Sequence, residues 1–216
     1  MKRIYLVRHG ESQANAERRH GGAETPLTEH GHQQAVFIAE RISKLPVQKI
    51  ISSTMVRAQQ TAQAISEKIN QPILSSDLFV ETRGPAEFEG ASYDDPKTLE
   101  AFHTLGINYG KPGFQLDGAE VFEDHTKRAQ ACLAFLAEQE EDHIVVVTHG
   151  LFLRILVAHV LLGPTPNSKE VQSIMSALKT RNTGLTVFDY GDTPFVDIPS
   201  EHPWNMFVWN DHAHLG

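Results

Sequence analysis

The sequence predicts an α/β protein in three layers, a mostly parallel sheet with helices on both faces. Three observations predict it. Short β-branched or apolar runs alternate with amphipathic helical stretches along most of the chain. One run, Ile144-Val145-Val146-Val147, is apolar without a break, as a central strand covered on both faces must be. Two of the runs end in a histidine–glycine pair, Arg8-His9-Gly10 and Thr148-His149-Gly150. Polar groups at strand carboxyl ends are where open α/β sheets hold their ligands.

The elements follow in order. Ile4-Tyr5-Leu6-Val7 gives a buried strand over 3–7. Residues 28–45 carry Ala35, Ile38, Ala39 and Ile42 on one helical stripe. A strand at 49–52 precedes a helix at 55–69, with Ala58, Ala62, Ile65 and Ile69 at helical spacing, and a strand at 73–75. A helix over 120–140 uses Phe122, Ala129, Leu133 and Leu136, and the central strand spans 143–148. The stretch 151–162 is apolar nearly all round, so it reads as a buried helix. A shorter helix at 169–177 and strands at 184–190 and 205–209 complete the pattern. Residues 84–117 are the least regular: Pro85, Pro96 and Pro112 are interspersed with five glycines and with Phe88, Tyr93, Phe102, Tyr109 and Phe114. They read either as a flap inserted over the site or as a small helical excursion with its own packing. The whole chain, 1–216, is expected to form one domain containing this insertion.

Composition excludes several classes. No run of about 18 apolar residues exists, so no membrane span or membrane partner is expected. A net charge of -8 argues against a nucleic-acid surface. An anionic ligand would then be drawn by a local cationic pocket rather than by the global field. The one cysteine, Cys132, fits a reducing compartment, and with no signal-peptide pattern the expected location is the cytoplasm. Histidines gather near the end, at His202, His212 and His214, but without metal-ligand spacing, so no metal site and no cofactor are expected. Oligomeric state is left open.

Chemistry concentrates at four predicted strand ends: Arg8-His9-Gly10, the turn from Ser53 to Arg57, Leu78-Phe79-Val80-Glu81, and Thr148-His149-Gly150. They supply two arginines, two histidines and a carboxylate. Phosphoryl transfer needs a nucleophile, cationic stabilisation of the equatorial oxygens and an acid for the leaving oxygen. Arginine binds phosphate bidentately, and a neutral imidazole can attack phosphorus. Arg57, in a helix's first turn, opposes the helix dipole and so calls for an anion beside it. The helix after His149 offers free N–H groups to an anion.

These residues carry a resemblance. The chain is similar to the histidine phosphatase superfamily, the branch that includes the cofactor-dependent phosphoglycerate mutases. The likeness rests on Leu6-Val7-Arg8-His9-Gly10-Glu11-Ser12, on the run from Thr25 to Ala35, on Ser53 with Arg57-Ala58-Gln59-Gln60-Thr61-Ala62, and on Thr148-His149-Gly150, in the family's order. It implies a phosphoglycerate mutase-like fold and a small phosphorylated substrate. It implies His9 as the phosphorylated nucleophile, Arg8 and Arg57 as the phosphate clamp, His149 as the second histidine, and Asn15 near the phosphate. Ser12 either bonds the phosphate or caps backbone groups. Glu81 matches the acid, with Glu87 and Glu89 as competing carboxylates.

The mutases carry a tryptophan before the asparagine, absent from Glu11-Ser12-Gln13-Ala14-Asn15. The insertion holds few cations, Lys97 and Lys111 with His103, for a second phosphate. The preferred reading is therefore a metal-independent phosphomonoesterase, a hydrolase working through phosphohistidine. The alternatives are a mutase-type phosphoryl transfer and a non-catalytic binder of a phosphorylated ligand.

Overall fold

A computed structural model gives the structure of the protein and describes residues 1–191 and 203–216; His202 lies outside the described residues. The expected α/β architecture is present. Strands β1 (Lys2–Arg8), β2 (Lys49–Ser52), β3 (Ile73–Ser75), β4 (His143–Thr148), β5 (Leu185–Tyr190) and β6 (Trp204–Asp211) form one sheet in the order β3-β2-β4-β1-β5-β6. The first four are mutually parallel; β5 runs antiparallel to β1, and β6 antiparallel to β5.

Strand pleating divides the core into two halves. Ile4, Leu6, Ile144 and Val146 point to one face, against helices α5 (Phe122–Ala137) and α6 (Gly150–Leu162). Tyr5, Val7, Val145 and Val147 point to the other, against α2 (Glu29–Ile42) and α3 (Val56–Ile69). The unbroken apolar run at 144–147 thus has the predicted cause. Each fully buried aliphatic side chain contributes about 1.5–3 kcal/mol.

The region 84–117 is more regular than its composition suggests. It contains α4 (Pro96–Asn108), which the prolines and glycines conceal. Its start is nevertheless written in the sequence: Asp95 is the N-cap, accepting from Thr98 N–H, and Pro96 begins the helix, where its missing N–H costs nothing. Other differences are a one-turn helix α1 (Gln13–Ala16) after the first strand and α7 at Ser168–Ala177, one residue earlier than expected.

Two glycines let the loop after β1 cross the first turn of α2. A Cβ on Gly10 would lie 2.5 Å from the Gly31 carbonyl oxygen, and one on Gly31 would lie 2.0 Å from the Glu11 carbonyl oxygen. Both obstacles are backbone and cannot swing away. Gly31→Ala would gain roughly 1 kcal/mol of helix propensity, but forced overpacking costs about 1–3 kcal/mol or more. A net loss of stability is expected in urea unfolding, with lower activity from the displaced His9 loop; a stabilised variant would contradict the close approach.

Candidate active site

Parallel pairing of β1 with β4 sets the site. Arg8 lies opposite Thr148 in the register, and His9 N–H continues the ladder to the Thr148 carbonyl at 3.0 Å. His9 and His149 therefore leave adjacent strands at the same level, with ring centroids 5.0 Å apart at 56°. The strand β2 next to β4 leads into α3, whose first turn carries Arg57 to the same spot.

The hydrogen bonds assign the His9 tautomer. Nδ1 lies 2.6 Å from the Gly10 carbonyl oxygen, which can only accept, so Nδ1 carries the proton. Arg57 Nε donates to His9 Nε2 at 3.2 Å, which requires a lone pair there. Arg57 is held by its NH1, which donates to the Gly22 carbonyl at 2.7 Å. Arg8 NH1 donates to the Thr180 carbonyl at 2.8 Å. His149 Nε2 meets Ser53 Oγ at 2.8 Å.

The cluster is cationic and dry. His9 is 3 % exposed, Arg57 4 % and His149 0 %. Among the described residues neither Arg8 nor Arg57 has a carboxylate within salt-bridge distance. Two buried polar atoms, Arg8 Nε and His149 Nδ1, have no hydrogen-bond partner. Buried charges are normally paired, so this arrangement suits an oxyanion. Burial pushes the His9 pKa well below the usual histidine value, helped by Arg57 and Arg8 and opposed by the Gly10 carbonyl. Burial likewise lowers His149, assisted by His9 and both arginines. Burial lowers Arg8 and Arg57, and the Glu81 carboxylate partly restores both. His9 is thus a neutral imidazole with an available lone pair at neutral pH.

Glu81 lies where the sequence placed an anion, at the start of α6. Its Oε1 accepts from Thr82 N–H at 3.0 Å and Phe152 N–H at 2.9 Å; its Oε2 accepts from Leu151 N–H at 3.1 Å. The free N–H groups expected to meet a ligand are taken by this side chain. Glu87 and Glu89 are exposed on or beside the turn Ala86–Phe88. Asn15 directs its Oδ1 to Ser12 N–H at 3.3 Å and to Asn182 Nδ2 at 3.2 Å, which leaves its own Nδ2 free to donate. Ser12 is the N-cap of α1, its Oγ accepting from Asn15 N–H at 3.2 Å.

Several supporting residues carried no functional signal of their own. Thr61 Oγ1 accepts from Gly10 N–H at 3.0 Å and donates to the Arg57 carbonyl at 2.8 Å, tying the His9 loop to α3. Gln34 and Gln60 accept from Glu11 and Leu27 N–H, both at 2.8 Å. Asn182 also donates to the His9 carbonyl at 3.0 Å. Arg128 pairs with Glu120 through two bonds of 2.8 and 2.7 Å, while its NH1 donates to the Val80 carbonyl at 2.7 Å and Glu120 accepts from Arg83 N–H at 2.9 Å. This buried pair fastens the segment that bears Glu81.

Of the terminal histidines, His214 Nε2 meets Thr183 Oγ1 at 3.1 Å, and His212 Nδ1 lies 3.0 Å from the Asn210 carbonyl. Among the described residues no group of three metal-ligating side chains converges, and no helix is long and apolar enough to cross a membrane.

Fold and site together define an α/β protein with a buried histidine–arginine cluster at the carboxyl edge of its sheet. The chain belongs to the histidine phosphatase superfamily (branch 1), whose family model matches residues 4–196. It is 33% identical over 219 residues to a protein of Enterobacter sp. (strain 638) named probable phosphoglycerate mutase GpmB, covering 100% of this chain and 95% of that one. Among solved structures it superposes on Bacillus stearothermophilus YhfR with a TM-score of 0.80 at 24% identity, covering 100% of both chains. It superposes on a mycobacterial glucosyl-3-phosphoglycerate phosphatase complexed with VO3 with a TM-score of 0.77 at 23% identity, covering 98% of this chain and 100% of that one. These structural likenesses establish the fold.

Arg128→Met should leave Glu120 buried without its partner, at about 3–5 kcal/mol of stability. Urea unfolding checks this; a loss under 1 kcal/mol would mean the pair does not fasten the segment. A second expectation concerns acid. Burial lowers His125 and His214 to about 4, and lowers His9 and His149 as well. Their folded pKa values lie below the unfolded 6.5, so the unfolded chain binds more protons between the two. Stability is therefore full above pH 6.5 and is lost as pH falls toward 4. For His125 alone the shift corresponds to about 3 kcal/mol. Thermal unfolding should show Tm dropping by roughly 5 °C or more from pH 7 to pH 4.5; a flat profile would contradict the buried neutral histidines.

Proposed function

We propose that the chain is a metal-independent phosphomonoesterase that works through a phosphohistidine on His9. One observation carries this reading: the His9 Nε2 lone pair is fixed by the Gly10 bond and lies among two guanidinium groups without carboxylate partners. The substrate's phosphate takes the place of the Arg57–His9 contact, so that Arg57 and Arg8 bind the equatorial oxygens with His149 and the Asn15 amide. His9 Nε2 attacks phosphorus in line; the N–P bond forms as the ester P–O bond breaks. Glu81 takes up a proton as the ester binds and gives it to the leaving oxygen. Oε2 accepts one backbone N–H where Oε1 accepts two, so its open lone pair is the place for that proton. Water then attacks phosphorus, Glu81 takes the water proton, the N–P bond breaks, and inorganic phosphate leaves with His9 and Glu81 as they began. Arg8 and Arg57 supply the positive charge that a metal supplies in other phosphatases.

A mutase-type transfer is favoured by the name of the Enterobacter relative. Against it, the cavity beyond Glu81 is lined by Arg83 as its one arginine or lysine, and none of Lys97, Lys111 and His103 reaches it. A second phosphate would have little to hold it. A non-catalytic binder would have no use for a fixed nucleophilic lone pair.

The expected result is release of inorganic phosphate from an aryl phosphate, unchanged by chelator. His9→Ala should lose about 10³-fold or more in kcat. Rapid quenching at alkaline pH should trap one phosphoryl group on wild type and none on the variant. Transfer between phosphoglycerates without free phosphate would install the mutase reading. Full turnover by His9→Ala would remove both.

A further inference from the structure

Next to Glu81 lies a cavity of about 160 Å³ that the phosphoryl chemistry does not use. Its walls include Phe102 and Leu105 of α4, Phe114, Val121, Leu151 of α6 and Met175 of α7. Thr82 and Leu151 also line it, and their backbone N–H groups hold the Glu81 carboxylate. The cavity therefore adjoins the place where a leaving oxygen receives its proton. In size it compares with an apolar cavity of about 150 Å³ that accepts benzene.

Thr82, Arg83, Glu120 and Gln172 contribute to the lining as well, and a further polar pair is buried against its apolar wall. Tyr109 and His125 both face it, and the Tyr109 hydroxyl lies 3.0 Å from His125 Nδ1. The alternative acceptor for that hydroxyl, Met175 Sδ, is 3.8 Å away and a weaker one. Burial raises the Tyr109 pKa, so the phenol keeps its proton and donates it to Nδ1. Burial lowers His125 to about 4, so the ring is neutral. Nε2 then carries the hydrogen. His125 is 5 % exposed, and this Nε2 has no hydrogen-bond partner. A buried donor without an acceptor costs about 1–3 kcal/mol, which a ligand oxygen would recover.

Resting on the phosphatase reading, we propose that this cavity holds the leaving alcohol. The preferred substrates are aryl or arylalkyl phosphate monoesters with a compact apolar body and one acceptor oxygen, which the His125 Nε2–H binds. Polyol phosphates are disfavoured where their hydroxyls would meet Phe102, Leu105, Phe114, Val121 and Met175. His125 is a specificity residue and takes no part in the phosphoryl steps.

Non-hydrolysable phosphonates test this without turnover. Benzylphosphonate should bind wild type at least tenfold more tightly than methylphosphonate. In a series with an acetyl group placed at each ring position, at least one member should gain a further fivefold. His125→Phe should abolish that second gain while retaining the first; His125→Gln, which keeps an N–H, should retain part of it. Gly106→Leu, whose Cβ meets nothing nearer than Gln172 Nε2 at 3.7 Å, should fill the cavity and remove the benzyl preference. If benzylphosphonate binds no better than methylphosphonate, the proposal is overturned, even where the chain hydrolyses glycerol phosphate readily. If no acetyl position gains, the His125 donor is overturned. If the phosphonates rank as expected but no ester is hydrolysed, the phosphatase reading falls and the cavity assignment stands. Should His125→Phe fail to fold, the wild-type series and Gly106→Leu decide.

Discussion

The in-register parallel pairing of β1 with β4 is the constraint on which the site depends. It places His9 and His149 at one level of the sheet, and the same pairing buries Ile4, Leu6, Ile144 and Val146 on one face and Tyr5, Val7, Val145 and Val147 on the other. A slip of one residue would separate the two imidazoles and turn every core side chain to the wrong face. Site geometry and core packing are thus fixed by the same set of backbone hydrogen bonds. The core can also sustain what the site costs. Two guanidinium groups and two imidazoles are crowded out of water, an arrangement that disfavours every cation in it. That cost is what keeps His9 neutral, and a neutral His9 is the form with a lone pair on Nε2.

Around this centre the polar residues of the family-like segments hold backbone. Thr61, Gln34 and Gln60 each accept an N–H from the loops that flank His9, and Thr28 caps α2 while its hydroxyl donates to the Glu11 carboxylate at 2.8 Å. The loop after β1 leaves a strand, crosses α2 at Gly10 and Gly31, and must still present His9 in one orientation. A loop so placed has buried N–H groups that the sheet and helices do not satisfy. Side-chain acceptors at fixed helical positions satisfy them, which explains why a run such as Arg57-Ala58-Gln59-Gln60-Thr61 accompanies a reactive histidine.

What the sequence made legible follows from period and from chain-local signals. Strands at 49–52, 73–75 and 143–148 match to the residue, because each apolar run is bounded by polar or turn residues. Three of the four site segments were readable because each lies at a strand's end; Leu78-Phe79-Val80-Glu81, expected at a strand end too, instead belongs to and follows the turn Asp77–Phe79 beyond the end of β3 at Ser75. The prolines and glycines in and around α4 mask its helical pattern, although Asp95-Pro96 marks its start. Asn182 and Arg128 were illegible for a different reason. Their partners lie 173 and 48 residues away in sequence, at the His9 and Val80 carbonyls, and a backbone carbonyl leaves no mark in a side-chain pattern. The different surroundings of Glu81, Glu87 and Glu89 are likewise visible only in three dimensions, since Glu81 meets the start of α6 while the other two are exposed.

The first turn of α6 joins three features that the sequence kept apart. His149 is its N-cap and belongs to the oxyanion cluster. The N–H groups of Leu151 and Phe152 hold Glu81, and the Leu151 side chain lines the adjacent cavity. The ring of Phe152 stacks under the Arg128 guanidinium at 3.8 Å, so the ion pair that fastens the Glu81 segment rests on the same turn. Rotation of this turn would move His149, the Glu81 carboxylate and one wall of the cavity together. The other helical walls of the cavity belong to α4, α5 and α7, none of which carries Arg8, His9, Arg57 or His149. The composition of 84–117 can then vary while Arg8, His9, Arg57 and His149 stay fixed, a division of labour that the parallel β1–β4 frame makes mechanically possible.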